Sequence, residues 1–454
     1  MAFQSLNPFT GETLQSFDAW NHQRIETALQ QVAAATPTWA ATPLPQRCDL
    51  LRQAANVLRA RKDALARLIT MEMGKLYTES QAEIEKCALG CEYYAHHAAE
   101  FLKDEIIATD AGKSFVAYQP IGTVLAVMPW NFPFWQVFRF AAPALAAGNT
   151  GVLKHASNVP QCALAIEDIF TEAGFPDGVF RALMIRAADV KAVIEDPRIA
   201  AVTLTGSEPA GRSVAATAGD CIKKSVLELG GSDAFIVLED ADMMHTVKNA
   251  VISRYLNAGQ SCIAAKRFIV VDAVADKFVE AFKTAVESLK TGDPMDSATT
   301  IAPMARVDLR DELHQQVLDS IAAGAEALTG CEPLPGPGAF YKPSIIDRVI
   351  PGIRAYDEEL FGPVAIVIRA KDENDALRIA NESRFGLGGS VWTQDTARGE
   401  RVARQLQCGA AFVNGFVKSD PRIPFGGVKA SGYGRELSHH GIHEFVNAKT
   451  VWIK

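Results

Sequence analysis

Val124-Leu-Ala-Val-Met128, which runs into Pro129-Trp-Asn-Phe-Pro133, is apolar throughout before it turns into prolines, aromatics and one amide. An unbroken apolar run of this length suits a strand covered on both faces, as in a parallel sheet. The unit then repeats. A helical stretch from about Phe134 to Ala147 leads to strand Gly151-Val-Leu-Lys154, and a helix from about Pro160 to Ala173, closed by Gly174, leads to a strand at Phe180 to Met184. A short helix near Val190, strand Ala200-Ala-Val-Thr-Leu204, a helix after Ser207 and strand Ser225-Val-Leu-Glu228 complete the series. Such alternation predicts a doubly wound α/β sheet.

Beyond Glu228 the pattern restarts with strands at Ala234–Leu238, Phe268–Val271, Val364–Ile368 and Gly389–Trp392, so a second α/β domain is expected. Upstream, about a hundred residues read as helices, because Ile25, Ala28, Leu29 and Val32 keep a 3.6-residue period, as do Leu50, Leu51, Ala54, Ala55 and Leu58. Ser114–Gln119 alternates like a strand, and Asn447–Lys454 reads as a strand without an evident partner. A third helix, about Glu79 to Leu102, carries Cys87, Cys91, His96 and His97. No second Cys/His pair stands at the spacing of a structural zinc site, so packed thiols and half-exposed imidazoles are expected and no metal. His439, His440 and His443 share a helix face and read as surface residues.

The 454 residues exceed one ordinary core, which implies two or three domains. A composition of 48% hydrophobic and 22% charged residues is that of a soluble globular enzyme. A net charge of −8 argues against a nucleic-acid partner, and no apolar run approaches membrane-spanning length. The start lacks a basic region followed by an apolar block, so no signal peptide is expected. Eight scattered cysteines do not form a disulfide framework; a reducing, cytoplasmic setting is expected.

Four segments fall at carboxyl ends of strands, where ligands sit in such sheets. Gly206 and Ser207 open a strand-to-helix turn whose N–H groups can face a phosphate, although an ordinary turn has the same residues. Lys154 can meet ribose or phosphate oxygens, or be a solvated lysine. Glu228, flanked by leucines and followed by two glycines, is a desolvated carboxylate suited to a general base, or half of an interdomain salt bridge. Asn131 offers an amide donor for an oxyanion, or a turn before Phe132-Pro133. Cys262 lies among small residues (Ala258, Gly259, Ser261) that let another molecule approach its sulfur. Most such cysteines are inert core residues, yet a thiolate is a strong nucleophile.

Taken in order, Pro129-Trp-Asn-Phe-Pro133, Leu204-Thr-Gly-Ser207, Leu227-Glu-Leu-Gly-Gly231, Gly259-Gln-Ser-Cys262, Glu358-Glu-Leu-Phe-Gly-Pro363 and Pro424-Phe-Gly-Gly-Val-Lys-Ala-Ser-Gly432 resemble the aldehyde dehydrogenase superfamily, from about Asn7 to the C-terminus. The resemblance implies two Rossmann-type domains, with residues 1-105 and 123-228 binding cofactor and 229-425 catalytic. It implies a small β oligomerisation element from 106-122 and 426-454, and a homodimer or tetramer. It implies that Cys262 attacks an aldehyde, that Asn131 and the Cys262 N–H hold the oxyanion, and that Glu228 activates the water that opens the thioester. Glu359 and Phe361 would position the nicotinamide ribose and ring, and Trp130, Lys154, Ser207 and Leu229 fall on cofactor-contact positions. Having Glu228 argues against relatives that pass the acyl group to coenzyme A, and keeping Cys262, Glu228 and Asn131 argues against a silent binding or structural member. Ile263 and Ala264 leave no neighbouring cysteine for a disulfide switch.

Many NAD-using relatives have an acid where this chain has Ser157. With Lys154 nearby, the neutral serine predicts NADP preferred, NAD being the alternative. Arg139 matches an arginine that succinate-semialdehyde dehydrogenases pair with the substrate's distal carboxylate, Ser419 falls near a serine those enzymes also use, and Val152-Leu-Lys-His-Ala-Ser-Asn158 looks like their short bacterial type. A salt bridge is the other reading of Arg139. Leu256 stands where some relatives have a second arginine, which leaves glutarate semialdehyde or a neutral aliphatic aldehyde open, and His155 replaces the family's usual proline.

Overall fold

The computed structural model describes residues 3–454. Its first large sheet has six strands in the order Gly432–Tyr433, Lys224–Glu228, Ile199–Thr205, Thr123–Met128, Thr150–His155 and Phe180–Ala182. All neighbours are parallel except the first pair, in which Gly432 lies opposite Glu228. The strand first in sequence, Thr123–Met128, lies between Thr150–His155 and Ile199–Thr205, so the winding reverses there, at the kind of switch point beyond whose carboxyl ends ligands sit. The unbroken apolar runs have the expected consequence: Val124, Leu125, Val152 and Val202 are fully buried. One face is covered by Leu51, Phe138 and Phe170, the other by Leu29, Ile194 and Val214.

The second sheet has seven strands, ordered Glu326–Thr329, Ser344–Asp347, Val364–Ala370, Ala265–Val271, Asp233–Val237, Gly388–Trp392 and Ala410–Val413. It is parallel except at its Glu326–Thr329 edge. Periodicity alone misses three of these strands (326–329, 344–347 and 410–413), the helix Val307–Ala322 and the hairpin of Phe3–Leu6 with Thr13–Phe17, which are short, lie at edges, or follow a loop.

Val446–Ile453 does have a partner: it pairs antiparallel with Lys113–Pro120 over eight positions, and Glu105–Ile106 adds a third strand. Cys87 and Cys91 are fully buried in the helix Tyr77–Phe101, while His96 is exposed and His97 half-buried. His439 and His440 are exposed, whereas the half-buried His443 stacks on Tyr118 at 4.3 Å. Among the described residues no cluster of three or more His, Cys, Asp or Glu is suited to a metal, and no helix is long and apolar enough to cross a membrane.

Candidate active site

Cys262 follows a short, strained turn. Asn257, Ala258 and Gly259 have φ of 55°, 52° and 74°, three successive residues in the left-handed region. Glycine is required at 259, since a Cβ there would lie 2.2 Å from the Gly362 carbonyl oxygen. The buried Arg254 guanidinium holds the turn, donating to the carbonyls of Gly259 (2.7 Å), Ala265 (3.1 Å) and Gly362. Asn257 donates through Nδ2 to the carbonyls of Asn131 (2.8 Å) and Gln260 (3.0 Å). Asn131 Nδ2 in turn donates to Gln260 O at 3.1 Å, which leaves its second N–H uncommitted. No backbone carbonyl among the described residues accepts from the Cys262 N–H. An amide side chain and a free backbone N–H beside one thiol are the parts of an oxyanion site.

Two cavities meet at Cys262. The larger, about 320 Å³, is lined by Trp130, Asn131, Gly206, Ser207, Glu228, Leu229, Glu359 and Phe361, so nine of the expected site residues, Cys262 included, come together. Ser207 precedes the helix Glu208–Asp220 without a side-chain capping bond, which leaves the helix N-terminus open toward this cavity. Trp130 and Phe361 meet edge to face at 5.8 Å. Glu359 is anchored by Gly231 N–H (3.2 Å) and by the buried Lys266 amine (2.9 Å). The same amine donates to the carbonyls of Ser261 and Cys262, both at 2.8 Å. A Cβ on Gly230 would meet Glu359 Oε2 at 2.2 Å, so a side chain there would displace that carboxylate.

Burial pushes the Cys262 thiol up to about 12, against which the charges of Arg139 and Lys266 pull it down. The thiol therefore rests protonated. Glu228 is 2% exposed and neither of its oxygens has a hydrogen-bond partner among the described residues. Burial, reinforced by the Glu436 carboxylate, holds its pKa well above the carboxylate range. A carboxylate whose proton affinity is raised by burial is better able to take a proton from water, as a general base must.

The smaller cavity, about 110 Å³, lies on the other side of Cys262 and is lined by Lys86, Phe132, Trp135, Arg139, Ser419 and Phe425 among others. Arg139, expected to meet a substrate carboxylate or to form a salt bridge, lines this cavity and forms a salt bridge. Every residue of the helix Trp135–Ala147 is buried, so a guanidinium on it needs a partner inside the protein. Arg139 is paired with Glu436, donates to Thr205 Oγ1 at 3.2 Å and lies over the Phe425 ring at 4.5 Å. Leu256 and Ile252, both partly exposed, form the mouth.

Ser157 is not part of either cavity. It is exposed beside a small pocket with His155, Ala156 and Met184, and the half-buried Lys154, its pKa lowered by burial, makes no ion pair among the described residues. His155 answers for its own substitution. Its Nδ1 accepts from the Ala156 N–H and its Nε2 meets the Pro133 carbonyl, both at 2.9 Å, which ties the end of strand Thr150–His155 to the Asn131 segment.

The residues that sequence reasoning passes over are Lys86, Asn257, Lys266 and Glu436. A signal for the first exists. Glu79, Glu83 and Lys86 are spaced i, i+4, i+7 on one helix and share a face with the buried Ile84 and Cys87 side. Glu79 accepts from Asn257 N–H, Glu83 from the N–H groups of Phe134 and Trp135, and Lys86 reaches Ser419.

A model of the aldehyde dehydrogenase family matches residues 1–451. A relative from Synechocystis sp., named a probable succinate-semialdehyde dehydrogenase of the NADP(+) type, is 52% identical over 453 residues, with 100% of both chains covered. The succinate semialdehyde dehydrogenase Sad of Escherichia coli, whose name gives NAD(P)+, is 48% identical over 448 residues, covering 99% of this chain and 97% of its own. The crystal structure of succinic semialdehyde dehydrogenase from Streptococcus pyogenes in complex with NADP+ superposes with a TM-score of 0.98 at 40% identity, with 100% of both chains covered.

Proposed function

The chain belongs to the aldehyde dehydrogenase family, and from that premise we propose that it oxidises succinate semialdehyde to succinate, with NADP(+) preferred over NAD, through a thioester on Cys262. The observation that carries this reading is the position of Cys262 between a large cavity walled by the Trp130, Ser207 and Glu359 segments and a small one with cationic walls.

The residues fit a dinucleotide. Gly206, Ser207 and the open helix end suit a diphosphate, Glu359 a ribose, and Phe361 with Trp130 a flat ring. Lys154 and Ser157, with no acid between them, suit a 2′-phosphate. When bound, the oxidised nicotinamide supplies the acceptor for the aldehyde's hydride. The protein's own part is as follows. The Cys262 sulfur, its proton given up to solvent water, bonds to the aldehyde carbon. The Asn131 amide and the Cys262 N–H hold the oxygen that becomes negative, and after hydride departure the carbonyl of a thioester re-forms. Water then adds to that carbon, giving its proton to Glu228, and the acid leaves as the Cys262 thiol is restored.

The same reading assigns residues 1-105 and 123-228 to the cofactor, 229-425 to catalysis, and the three-stranded sheet of 106-122 and 426-454 to pairing of copies as a dimer or tetramer in the cytoplasm. Steady-state rates with succinate semialdehyde, glutarate semialdehyde and butanal, each with NADP and NAD, test the proposal. The highest kcat/KM is expected for succinate semialdehyde with NADP, and a preference for butanal overturns it.

A further inference from the structure

The turn that leads into Cys262 is held from two sides. Arg254 takes the carbonyls of Gly259 and Gly362. The N–H that opens the turn, that of Asn257, is taken by a side chain 178 positions upstream: both Glu79 carboxylate oxygens accept it, at 3.1 and 3.2 Å. Asn257 needs such a hold. It and Ala258, with φ of 55° and 52°, are two non-glycine residues in succession in the left-handed region, a strain that the surroundings must offset.

One helical turn further on, Glu83 does the same for the segment that bears Asn131. Its Oε1 accepts from the N–H groups of Phe134 (2.9 Å) and Trp135 (3.0 Å), and its Oε2 is paired with Lys75. The buried Lys75 ammonium lies over the Phe132 ring, 3.7 Å from the centroid. Glu79 and Glu83 stand i, i+4 on the helix Tyr77–Phe101, so their attachment points lie on one face about 6 Å apart along its axis. Ile84, Cys87, Ala88 and Cys91 of that helix are buried in one core with Phe134 and Phe138, which gives both carboxylates a rigid base.

The two fastened segments meet where the oxyanion would sit. Asn257 Nδ2 donates to the Asn131 carbonyl at 2.8 Å, and Asn131 Nδ2 donates to the Gln260 carbonyl at 3.1 Å, leaving one amide N–H to face the thiol. A shift of Asn257 therefore shifts the Asn131 amide relative to Cys262. Glu79 itself lines neither cavity. Resting on the thioester reading above, we propose that Glu79 is a positioning residue for the oxyanion site. Through the Asn257 N–H it fixes where the Asn131 amide stands, with the Glu83–Lys75 pair as the fixed abutment. Stabilisation of a developing charge falls steeply when its donor is misplaced, so the effect is felt in rate rather than in binding.

Two reactions of the same sulfur test this. Aldehyde oxidation develops an oxyanion, whereas alkylation of Cys262 by iodoacetamide, read by peptide mass, does not. With the aldehyde that the wild type turns over fastest, the burst of NADPH in Glu79→Met is expected to slow about ten- to a hundredfold, the size of one lost hydrogen bond to a charged group, while the alkylation rate and the Kd for NADP stay within about twofold. Glu79→Gln, whose amide oxygen still accepts the Asn257 N–H, is expected to regain most of the burst rate. A wild-type burst in Glu79→Met overturns the proposal. So does alkylation that slows in step with the burst, or a Glu79→Gln enzyme as slow as Glu79→Met. If Glu79→Met does not fold, Glu79→Asp decides: it keeps the charge but draws the carboxylate back from Asn257, so a slowed burst is expected and a wild-type burst overturns the proposal. Asn131→Ala separates the two ways of failing. A wild-type burst in that variant removes the oxyanion reading and the positioning role together, whereas a burst lost in Asn131→Ala and kept in Glu79→Met removes the positioning role alone.

Discussion

Lys266 Nζ lies 2.9 Å from Glu359 Oε1, and the same amine donates to the carbonyl of Cys262. One buried cation thus joins the acid of the larger cavity to the backbone of Cys262. Lys266→Met removes the counter-charge of Glu359 and the clamp on Ser261 and Cys262 together. We expect a loss of about 3 kcal/mol in stability, as for breaking a buried pair. A raised KM for NADP should accompany it. Urea unfolding and cofactor titration check both, and an unchanged KM would remove Glu359 from cofactor binding.

Glu228→Ala leaves the first half of the proposed reaction supplied with Cys262, Asn131 and cofactor but takes away the proposed base for hydrolysis. Rapid mixing should show a burst of reduced cofactor near one equivalent per site. A steady rate lower by about 10²–10⁴-fold should follow. Absence of a burst, with the slow rate retained, assigns Glu228 to the first half instead.

Ser157→Glu places a carboxylate beside the expected 2′-phosphate position. Two like charges at short range near a protein surface repel by one to a few kcal/mol, so KM for NADP should rise about ten- to a hundredfold while KM for NAD changes little. Equal changes for both cofactors would show that residue 157 does not face the phosphate.

His155 gives a pH dependence of stability. Burial lowers its pKa from 6.5 to about 4, so the folded protein keeps it neutral where the unfolded chain has protonated it. Its contribution is complete above pH 6.5 and is lost as pH falls toward 4. His155→Asn should make unfolding free energy fall less across that window, by about 3 kcal/mol. Denaturant titrations at pH 7 and pH 4.5 measure the difference, and identical slopes for both proteins would show that His155 is not the group responsible.

The alternation of apolar runs made the two parallel sheets legible, since Val124–Met128 and Ala234–Leu238 are buried on both faces and can be little else. The candidate site was legible as ordered segments, through a resemblance; spacing could not bring Asn131, Glu228 and Cys262 to one cavity. What stayed hidden has a common cause. Lys86 meets Ser419 across 333 positions and Arg139 meets Glu436 from the far end of the chain, so each reads locally as an ordinary charge. The helix that carries Arg139 is buried all round, so a salt bridge for its charge could be expected from the sequence.

The strand Gly432–Tyr433 joins the first sheet beside Glu228, and Ser419, Phe425 and Glu436 wall the chemistry from the same late segment. The walls around Cys262 thus come from chain far beyond it in sequence, so a fragment cut before Ser419 would present the same thiol with one side of its chamber open.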